Sequence, residues 1–499
     1  MIRSHTSLVI TAFVLNSNNL GYRVVSGASF KFLGIALRTA ITIGSTAILA
    51  RLLSPADFGY IAMATVITEL AAILGAFGFT NVLIQRRVIN RLQLDTVFWA
   101  TVAVGFAMTT VVFGLSFVSG WLFADPQVGP VLRVLCLTFV INSLTAVPWV
   151  VLSRLMRFRT EFWAQIATVA IRTVAAVSCA YAGMGLWSLV VGSLVGALAN
   201  VMVSFSCVPY LPRLRFYLPF LTSTWRTSGS YLGASVLHYI NMNLDLLLIG
   251  RFMGASSLGY YQNARSLTDE IRARIAMPIQ HVLFPAFSSV QTDRERFQHL
   301  VMRTGRLLTA VVVPVGFGVS ANATELVLVL YGEQWRPMIS VMSMFGLSAA
   351  IRAATALASP LFNASDRVGL ALRYNLMGTA LLAGGIALAM PHGVDALAVA
   401  VAVTSLYSLI SFRAAFSLIG MGAREMAQVL GPPTLAASVM WFATLGLGHF
   451  NGTWGLRPSA LLMLNVSAGA VVYLATLHVI SRQYLDEFRQ ATVTLLKRS

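Results

Sequence analysis

Apolar positions along this chain come in runs of about twenty or more residues, separated by short polar segments. Each run is long enough to form an α-helix that crosses the ~30 Å hydrocarbon core of a bilayer. The pattern predicts an all-α polytopic membrane protein with fourteen transmembrane helices. The predicted spans are 29–50, 57–85, 94–123, 129–153, 160–182, 185–208, 228–250, 257–286, 304–328, 338–362, 368–390, 394–419, 427–448 and 458–481.

Composition agrees with a membrane protein. The chain is 57% hydrophobic and 10% charged, with a mean hydropathy of +0.77, whereas soluble domains carry about 25% charged residues. The net charge of +18 is typical of some nucleic-acid-binding proteins. Here the basic residues lie between the apolar runs instead of forming one polar domain, so we expect no nucleic-acid partner.

Arginine distribution predicts the orientation. With the N-terminus in the cytoplasm, nearly every arginine-bearing loop falls on the cytoplasmic side, and the opposite loops at 124–128, 183–184, 332–337, 391–394 and 448–458 hold only Arg336 and Arg457. This is the positive-inside pattern of a bacterial inner-membrane protein, and it predicts that both termini are cytoplasmic. The span at 257–286 contains several charges, but without it every later loop would change sides and the pattern would fail.

A repeat divides the chain. Residues 47–60 align without a gap to residues 247–260, and three identities recur in register: Arg51 with Arg251, Gly59 with Gly259, and Tyr60 with Tyr260. Both copies follow a span entered from the same side, so the repeat is parallel and its axis lies along the membrane normal. Repeated halves of this kind are typical of carriers that open alternately to each side.

The repeat and the spans together predict the domain organisation. We expect two six-helix lobes and two additional C-terminal helices between cytoplasmic ends. The predicted segments are an N-terminal segment 1–28, an N-lobe 29–210, a C-lobe 225–420, helices 13 and 14 at 427–481, and a tail 482–499.

Charged residues inside the spans are the candidate functional groups, because burying a charge at mid-membrane is costly and such residues usually face a wet cavity or each other. Arg38, Arg172 and Arg352 lie well inside their helices with no carboxylate three or four residues away. Guanidinium groups suit phosphate and carboxylate ligands. Hydrogen bonds to helix carbonyls or pairing with a distant acid are the alternatives.

The repeat aligns Arg38 with His238 and Glu69 with Asp269, which suggests that the first two helices of each half line a shared cavity. The predicted substrate-binding residues are Arg38, Arg172, Arg272, Arg352 and His238. The predicted ion-coupling residues are Asp245, Glu69 and Asp269. In the eighth span, Arg265 with Asp269 and Glu270 with Arg274 are spaced to neutralise each other within the helix.

No catalytic pattern is present. The sequence has no phosphate-binding Gly-Lys loop, no HExxH and no GxSxG, and its three cysteines have no metal-ligand spacing. We therefore expect no enzyme, no cofactor and no metal site.

The region 25–420 resembles the Wzx-type polysaccharide flippases, in particular the exopolysaccharide branch of the multidrug/oligosaccharidyl-lipid/polysaccharide exporter superfamily. The similar segments are 51–59, 245–251, 258–261, 284–286 and 331–335. The resemblance implies a 14-helix inner-membrane carrier with two lobes that rock around a cationic cavity by alternating access. It also implies a substrate, an undecaprenyl-diphosphate-linked oligosaccharide, for exopolysaccharide or lipopolysaccharide biosynthesis. Membrane lipids, a polysaccharide polymerase and export machinery are the further partners it suggests.

Two alternatives are weaker. A cation-coupled multidrug antiporter of the same superfamily would need a surplus of acids in its cavity. The candidate mid-membrane residues are instead four acids, Glu69, Asp245, Asp269 and Glu270, against six arginines, Arg38, Arg172, Arg265, Arg272, Arg274 and Arg352. A membrane glycan polymerase or ligase would need a sizeable outer loop, and every predicted outer loop is short.

Overall fold

The computed structural model describes residues 20–75, 80, 83–84, 89–155, 157–208, 210–290, 293–365, 367–482, 484 and 487. Regular structure in these residues is helical apart from an isolated bridge position at Ile89. The helices of the first half are α1 (Leu20–Leu52), α2 (Pro55–Gly75), α3 (Arg91–Leu115), α4 (Ser119–Phe123), α5 (Val128–Leu135), α6 (Leu137–Ser143), α7 (Ala146–Arg154), α8 (Phe158–Tyr181), α9 (Leu186–Cys207) and α10 (Leu218–Val290).

The helices of the second half follow with short connections. They are α11 (Arg294–Ala321), α12 (Ala323–Leu330), α13 (Met338–Ala354), α14 (Ala358–Ala364), α15 (Val368–Ala389), α16 (Val394–Ser405), α17 (Tyr407–Leu418), α18 (Ala423–Trp454) and α19 (Pro458–Ile480), with 3₁₀ turns at Glu333–Trp335 and Met390–His392. By contacts, the chain forms two compact units, Met1–Gly259 and Tyr260–Ser499. The predicted lobes 29–210 and 225–420 stay a prediction.

Eleven helices within the described residues are long and apolar enough to cross a membrane. They become twelve if Val128–Ser143 and Ala146–Arg154, which are bent by 40° relative to each other, form one broken span. The prediction of an all-helical membrane protein is therefore confirmed, whereas the count of fourteen stays a prediction.

The predicted ends of the chain are described only in part. Residues 20–28 of the predicted N-terminal segment form the beginning of α1, and residues 1–19 lie outside the described residues. Of the predicted tail, only residues 482, 484 and 487 are described. Tyr484 is buried and donates hydrogen bonds to the carbonyls of Gln428 and Val429 at 2.6 and 3.0 Å.

A buried carboxylate holds the first unit together at the start of α3. Asp95 is fully buried and accepts hydrogen bonds from the Tyr210 hydroxyl at 2.9 Å and the Arg213 backbone N–H at 3.3 Å. Burial and this hydrogen bond raise the pKa of Tyr210, so its hydroxyl stays protonated and donates. The connection between α9 and α10 is thereby fastened to α3.

Aromatic side chains fill the core of the second unit, where α11, α14, α17 and α18 pack together. Phe297, Leu308, Phe362, Phe412 and Phe416 belong to one buried cluster. Close packing of such large side chains stabilises this region through many van der Waals contacts.

Candidate functional site

The first copy of the repeat forms a capped turn between α1 and α2. The Asp57 carboxylate accepts hydrogen bonds from the backbone N–H and hydroxyl of Ser54 at 2.9 and 2.7 Å. The Asp57 N–H points back to the Ser54 hydroxyl at 3.3 Å. Reciprocal bonding of this kind gives partners to backbone N–H groups that have none within the helix, and it fixes the start of α2 at Pro55.

The second copy has a different backbone. Here the helix continues as α10, and Gly254 interrupts it with φ +81° and ψ 178°. That conformation is one that side-chain-bearing residues rarely adopt, and glycine adopts it freely. The same sequence motif therefore changes the chain direction by a capped turn in one copy and by a glycine break in the other.

The two copies cross each other closely. A Cβ built on Gly59 would lie 2.8 Å from Ala255 Cα, and one built on Gly259 would lie 2.9 Å from the Pro55 carbonyl carbon. Because the repeat aligns 55 with 255 and 59 with 259, these contacts are reciprocal. The backbones approach to a distance that leaves no room for a side chain at either glycine.

A hydrogen bond joins α2 to the first part of α10. The buried hydroxyl of Tyr239 donates to the Val66 carbonyl at 2.9 Å. Glu69 lies three residues after Val66 and His238 directly precedes Tyr239, and both Glu69 and His238 are exposed. Two of the predicted polar residues therefore lie on neighbouring helices, within about one turn of the same contact.

Arg38 lies on the side of α1 that packs against α8. A Cβ on Gly34, one turn before it, would lie 2.7 Å from the ring of Phe162, and Leu49 and Leu53 farther along α1 pack with Ala176 and Ala180. Arg38 is half-buried.

Arg172 lies on α8, farther along the same helix pair. Because Gly34 lies opposite Phe162 and the two helices run in the same direction, Arg38 is level with Ile166. Arg172 is six residues farther along α8, which displaces it from Arg38 by about 9 Å along the axis at ~1.5 Å per residue. The aliphatic stem of Arg172 packs on α9, where a Cβ on Gly196 would lie 2.9 Å from Arg172 Cβ. The residue as a whole is exposed.

The outer face of α8 differs from the side that carries Arg172. Large apolar side chains are exposed at helical spacing: Trp163, Ile171, Val174 and Tyr181 are 56%, 42%, 63% and 72% exposed. Arg172 and Val174 are two residues apart, which is about 200° around the helix. Arg172 therefore points away from the centre of the apolar stripe that suits lipid.

Neither Arg38 nor Arg172 forms a salt bridge with the acidic residues that the structure describes. The other predicted arginines differ. Arg352, near the end of α13, is half-buried and has an interaction partner within the protein. Arg272 lies in α10, and its side chain is outside the described part of the chain.

The three predicted ion-coupling residues have different surroundings. Asp269 pairs with Arg265 at 3.6 Å, so this predicted i,i+4 ion pair is present. Asp245 is 5% exposed and accepts a hydrogen bond from the backbone N–H of Leu246 at 2.9 Å. Glu69, in contrast, is exposed to its surroundings. Within the described ranges, no cluster of three or more histidine, cysteine or acidic residues could hold a metal.

Several polar groups were missed by the sequence interpretation. Asp95 lies one residue inside a predicted span, where hydropathy gives no signal for a buried hydrogen-bond acceptor. Arg133 donates to the Ser116 hydroxyl at 3.3 Å and lies over the Phe117 ring at 4.6 Å. Arg306, at the start of the predicted span 304–328, is buried and pairs with Glu487 at 2.6 Å. The partner is far away in sequence, so no local pattern could have revealed this pair.

Comparison with known proteins identifies a family and several relatives of this chain. Residues 48–340 match the sequence profile of the family described as polysaccharide biosynthesis protein. The succinoglycan biosynthesis transport protein ExoT of Rhizobium meliloti is 28% identical over 447 residues, which cover 88% of this chain and 89% of that protein. The lipopolysaccharide biosynthesis protein WzxC of Escherichia coli is 27% identical over 372 residues, and this alignment covers 73% of this chain and 74% of that protein.

Solved structures show the same fold at low identity. The lipid II flippase MurJ in an inward closed conformation superposes with a TM-score of 0.70 and 12% identity, over 92% of this chain and all of that one. An inward-facing multidrug transporter of the MATE family gives a TM-score of 0.58, also at 12% identity, over 77% of this chain and 94% of the other. These findings confirm the resemblance to Wzx-type flippases, and the chain belongs to the family described as polysaccharide biosynthesis protein.

Proposed function

We propose that this protein is a bacterial inner-membrane flippase for undecaprenyl-diphosphate-linked oligosaccharide repeat units. It moves them from the cytoplasmic to the periplasmic leaflet for exopolysaccharide or lipopolysaccharide biosynthesis. The similarity to ExoT over 88% of the chain supports the transport role. The observation that carries the anionic substrate is the pair Arg38 and Arg172, two mid-helix guanidinium groups on adjacent helices without a salt bridge to a described acid.

The substrate chemistry follows from that pair. A diphosphate presents several oxygens that accept hydrogen bonds from guanidinium groups, and these bonds are stronger than neutral ones. Arg38 and Arg172 are about 9 Å apart along the axis, so a diphosphate could be passed from one to the other as the carrier changes state. His238, Arg272 and Arg352 are the further candidates for a cationic cavity with alternating access.

The fourteen-span topology belongs to the same proposal. Eleven single helices and one broken pair are apolar enough to span a membrane. The two parts of α10, before and after Gly254, would supply the remaining two spans at 228–250 and 257–286. The reciprocal crossing of the two copies supports a parallel repeat. Both termini are then cytoplasmic, as the arginine pattern predicts.

A reconstituted assay tests the function. The protein is placed in vesicles with a polyprenyl-diphosphate-linked oligosaccharide that carries a fluorophore on the sugar, and a membrane-impermeant reductant reports which leaflet holds it. We expect Arg38→Ala and Arg172→Ala each to lower the flipping rate by about tenfold or more, since about 1.4 kcal/mol of lost stabilisation is a factor of ten. Lysine at either site should give intermediate rates, because it keeps the charge but loses the two-pronged geometry.

Arg157→Ala is the matched control. Arg157 is exposed before the start of α8, and its variant should flip the substrate at the wild-type rate. Normal flipping by both Arg38→Ala and Arg172→Ala would overturn the cationic cavity. A wild-type protein that leaves the oligosaccharide in one leaflet but protects cells against cationic drugs would replace the proposal with multidrug antiport.

Three acidic residues are the candidates for coupling transport to an ion gradient. Among the three ion-coupling candidates, Glu69 is exposed and close to His238, Asp245 is buried, and Asp269 is paired with Arg265. An exposed carboxylate is free to bind a proton or sodium ion from a wet cavity. We therefore place Glu69 first as the coupling group.

A further inference from the structure

The α8–α9 groove is a second feature that the proposed cavity does not use. It lies between the start of α8 and the end of α9 and has a volume of about 410 Å³. Its lining comprises Arg159, Thr160, Trp163, Ala164 and Ala167 from α8, and Val203 and Cys207 from α9. This is within the size range of pockets that hold small ligands.

The shape of the groove follows from the spacing of its small residues. Thr160, Ala164 and Ala167 are four and three residues apart on α8, and Val203 and Cys207 are four apart on α9. Each set therefore forms one row along its helix. The two rows border a channel that has Trp163 as one wall.

Arg159 gives the groove a polar end. It lies one residue after the first residue of α8 and is exposed, at the end of the helix that the arginine pattern predicts to be cytoplasmic. Thr160 adds a hydroxyl at the same level. A guanidinium and a hydroxyl at a membrane surface suit a phosphate head group, while the channel suits an apolar chain.

Trp163 joins the groove to the exposed apolar face of α8. Trp163 is 56% exposed and begins the apolar stripe that continues through Val174 and Tyr181. Arg172 points to a different side of α8, so the groove is separate from the proposed cationic cavity. A ligand could therefore hold its head group at the membrane surface and its chain in the groove without entering the bilayer-spanning cavity.

We infer that the α8–α9 groove binds the tail of a single-chain polyprenyl phosphate lipid from the cytoplasmic leaflet, with Arg159 on the phosphate. The inference rests on the proposed function, since it assigns the groove to the lipid part of the same substrate. That substrate supplies both parts that the groove suits, a phosphate for Arg159 and an apolar polyprenyl chain for the rest of the lining. The groove then collects the substrate from the membrane before its diphosphate reaches Arg38 and Arg172.

Binding to filled and charge-reversed variants tests the inference. The full-length protein in detergent is titrated with a C55 polyprenyl phosphate, and bound lipid is counted by native mass spectrometry. Ala167→Trp, which fills the channel, and Arg159→Glu, which repels phosphate, should each weaken binding about tenfold. Val174→Trp and Arg157→Glu are matched controls outside the groove and should bind within about twofold of the wild type.

A second measurement avoids substitutions altogether. A polyprenyl phosphate with a photoreactive diazirine in its chain is crosslinked to the wild-type protein, and the labelled peptides are identified. Label within 159–167 and 203–207, removed by excess polyprenyl phosphate, supports the groove. Label confined to other segments, unchanged binding by Ala167→Trp, or equal competition by phosphatidylglycerol would each overturn the inference.

The outcomes also separate the inference from the proposed function. If the vesicle assay shows flipping while the probe labels only other helices, the protein is a flippase that takes its lipid elsewhere, and the inference fails alone. If flipping is absent and no segment is labelled specifically, both fail together.

Discussion

Gly59 and Gly259 lie against each other where the two copies of the repeat cross: the Cβ position of Gly259 is 3.3 Å from the Gly59 backbone nitrogen. Positions related by the duplication thus meet at one point. Gly59 also faces Ala255, and Gly259 also faces Pro55. The contact is made by backbone atoms, which cannot move aside as a flexible side chain can.

The first prediction concerns this crossing. Gly59→Ala and Gly259→Ala should each lower the thermal unfolding temperature, because the added methyl overlaps backbone of the other copy and overpacking costs about 1–3 kcal/mol. Unfolding of the purified protein in detergent measures the effect. Gly44→Ala is the control, since nothing lies within 4 Å of its Cβ position, and alanine there should be neutral or stabilising. Equal unfolding temperatures for all three variants would contradict the close crossing.

The second prediction concerns the break in α10. Gly254→Ala should destabilise the protein by about 1–2 kcal/mol, because a Cβ is unfavourable in the left-handed region, although no heavy atom lies within 4 Å of that Cβ. Gly233→Ala, in the same helix and also in open space, should have no such cost. If the two variants unfolded alike, the interruption at Gly254 would not be a feature of the folded protein.

The third prediction concerns coupling. Glu69→Gln should remove the response of flipping to an imposed proton or sodium gradient, because the neutral amide cannot exchange a charge. The vesicle assay with and without each gradient measures this response. Glu333→Gln, in an exposed 3₁₀ turn, should keep it. A gradient response that survives in Glu69→Gln would move the coupling role to Asp245 or Asp269.

The fourth prediction concerns the pair between α11 and the described tail residue Glu487. Arg306 donates from Nη2 to Glu487 Oε1 at 2.6 Å and from Nε to Oε2 at 3.2 Å. Breaking a buried pair on one side leaves an uncompensated charge and costs about 3–5 kcal/mol. Arg306→Ala and Glu487→Ala should therefore each destabilise strongly, while the double variant should cost less than the sum. Simple additivity in this cycle would show that the pair is not coupled.

The general architecture was predictable from the sequence because hydropathy acts over whole helices. Twenty apolar residues in a row can satisfy their backbone in a bilayer only as a helix, so the runs predicted helices throughout. The ion pair between Arg265 and Asp269 was predictable for a related reason, since residues four apart on a helix are neighbours.

Contacts distant in sequence were not predictable. Asp95 with Tyr210 and Arg306 with Glu487 depend on how separate helices pack, and a single sequence contains no periodicity that reports it. The repeat predicted equivalent positions, but it did not predict that residue 59 would meet residue 255. The different backbones at Ser54 and Gly254 also escaped the alignment, because the matching residues flank them on both sides.

The reciprocal crossing has a consequence for the ancestry of the chain. A contact in which each copy offers the same patch to the other is the isologous arrangement of a two-fold symmetric dimer. A half-length ancestor with one copy could have made it only with a second molecule. Fusion of the two genes removed the need for identical partners, after which one copy could acquire the Ser54 and Asp57 cap while the other kept a glycine hinge point.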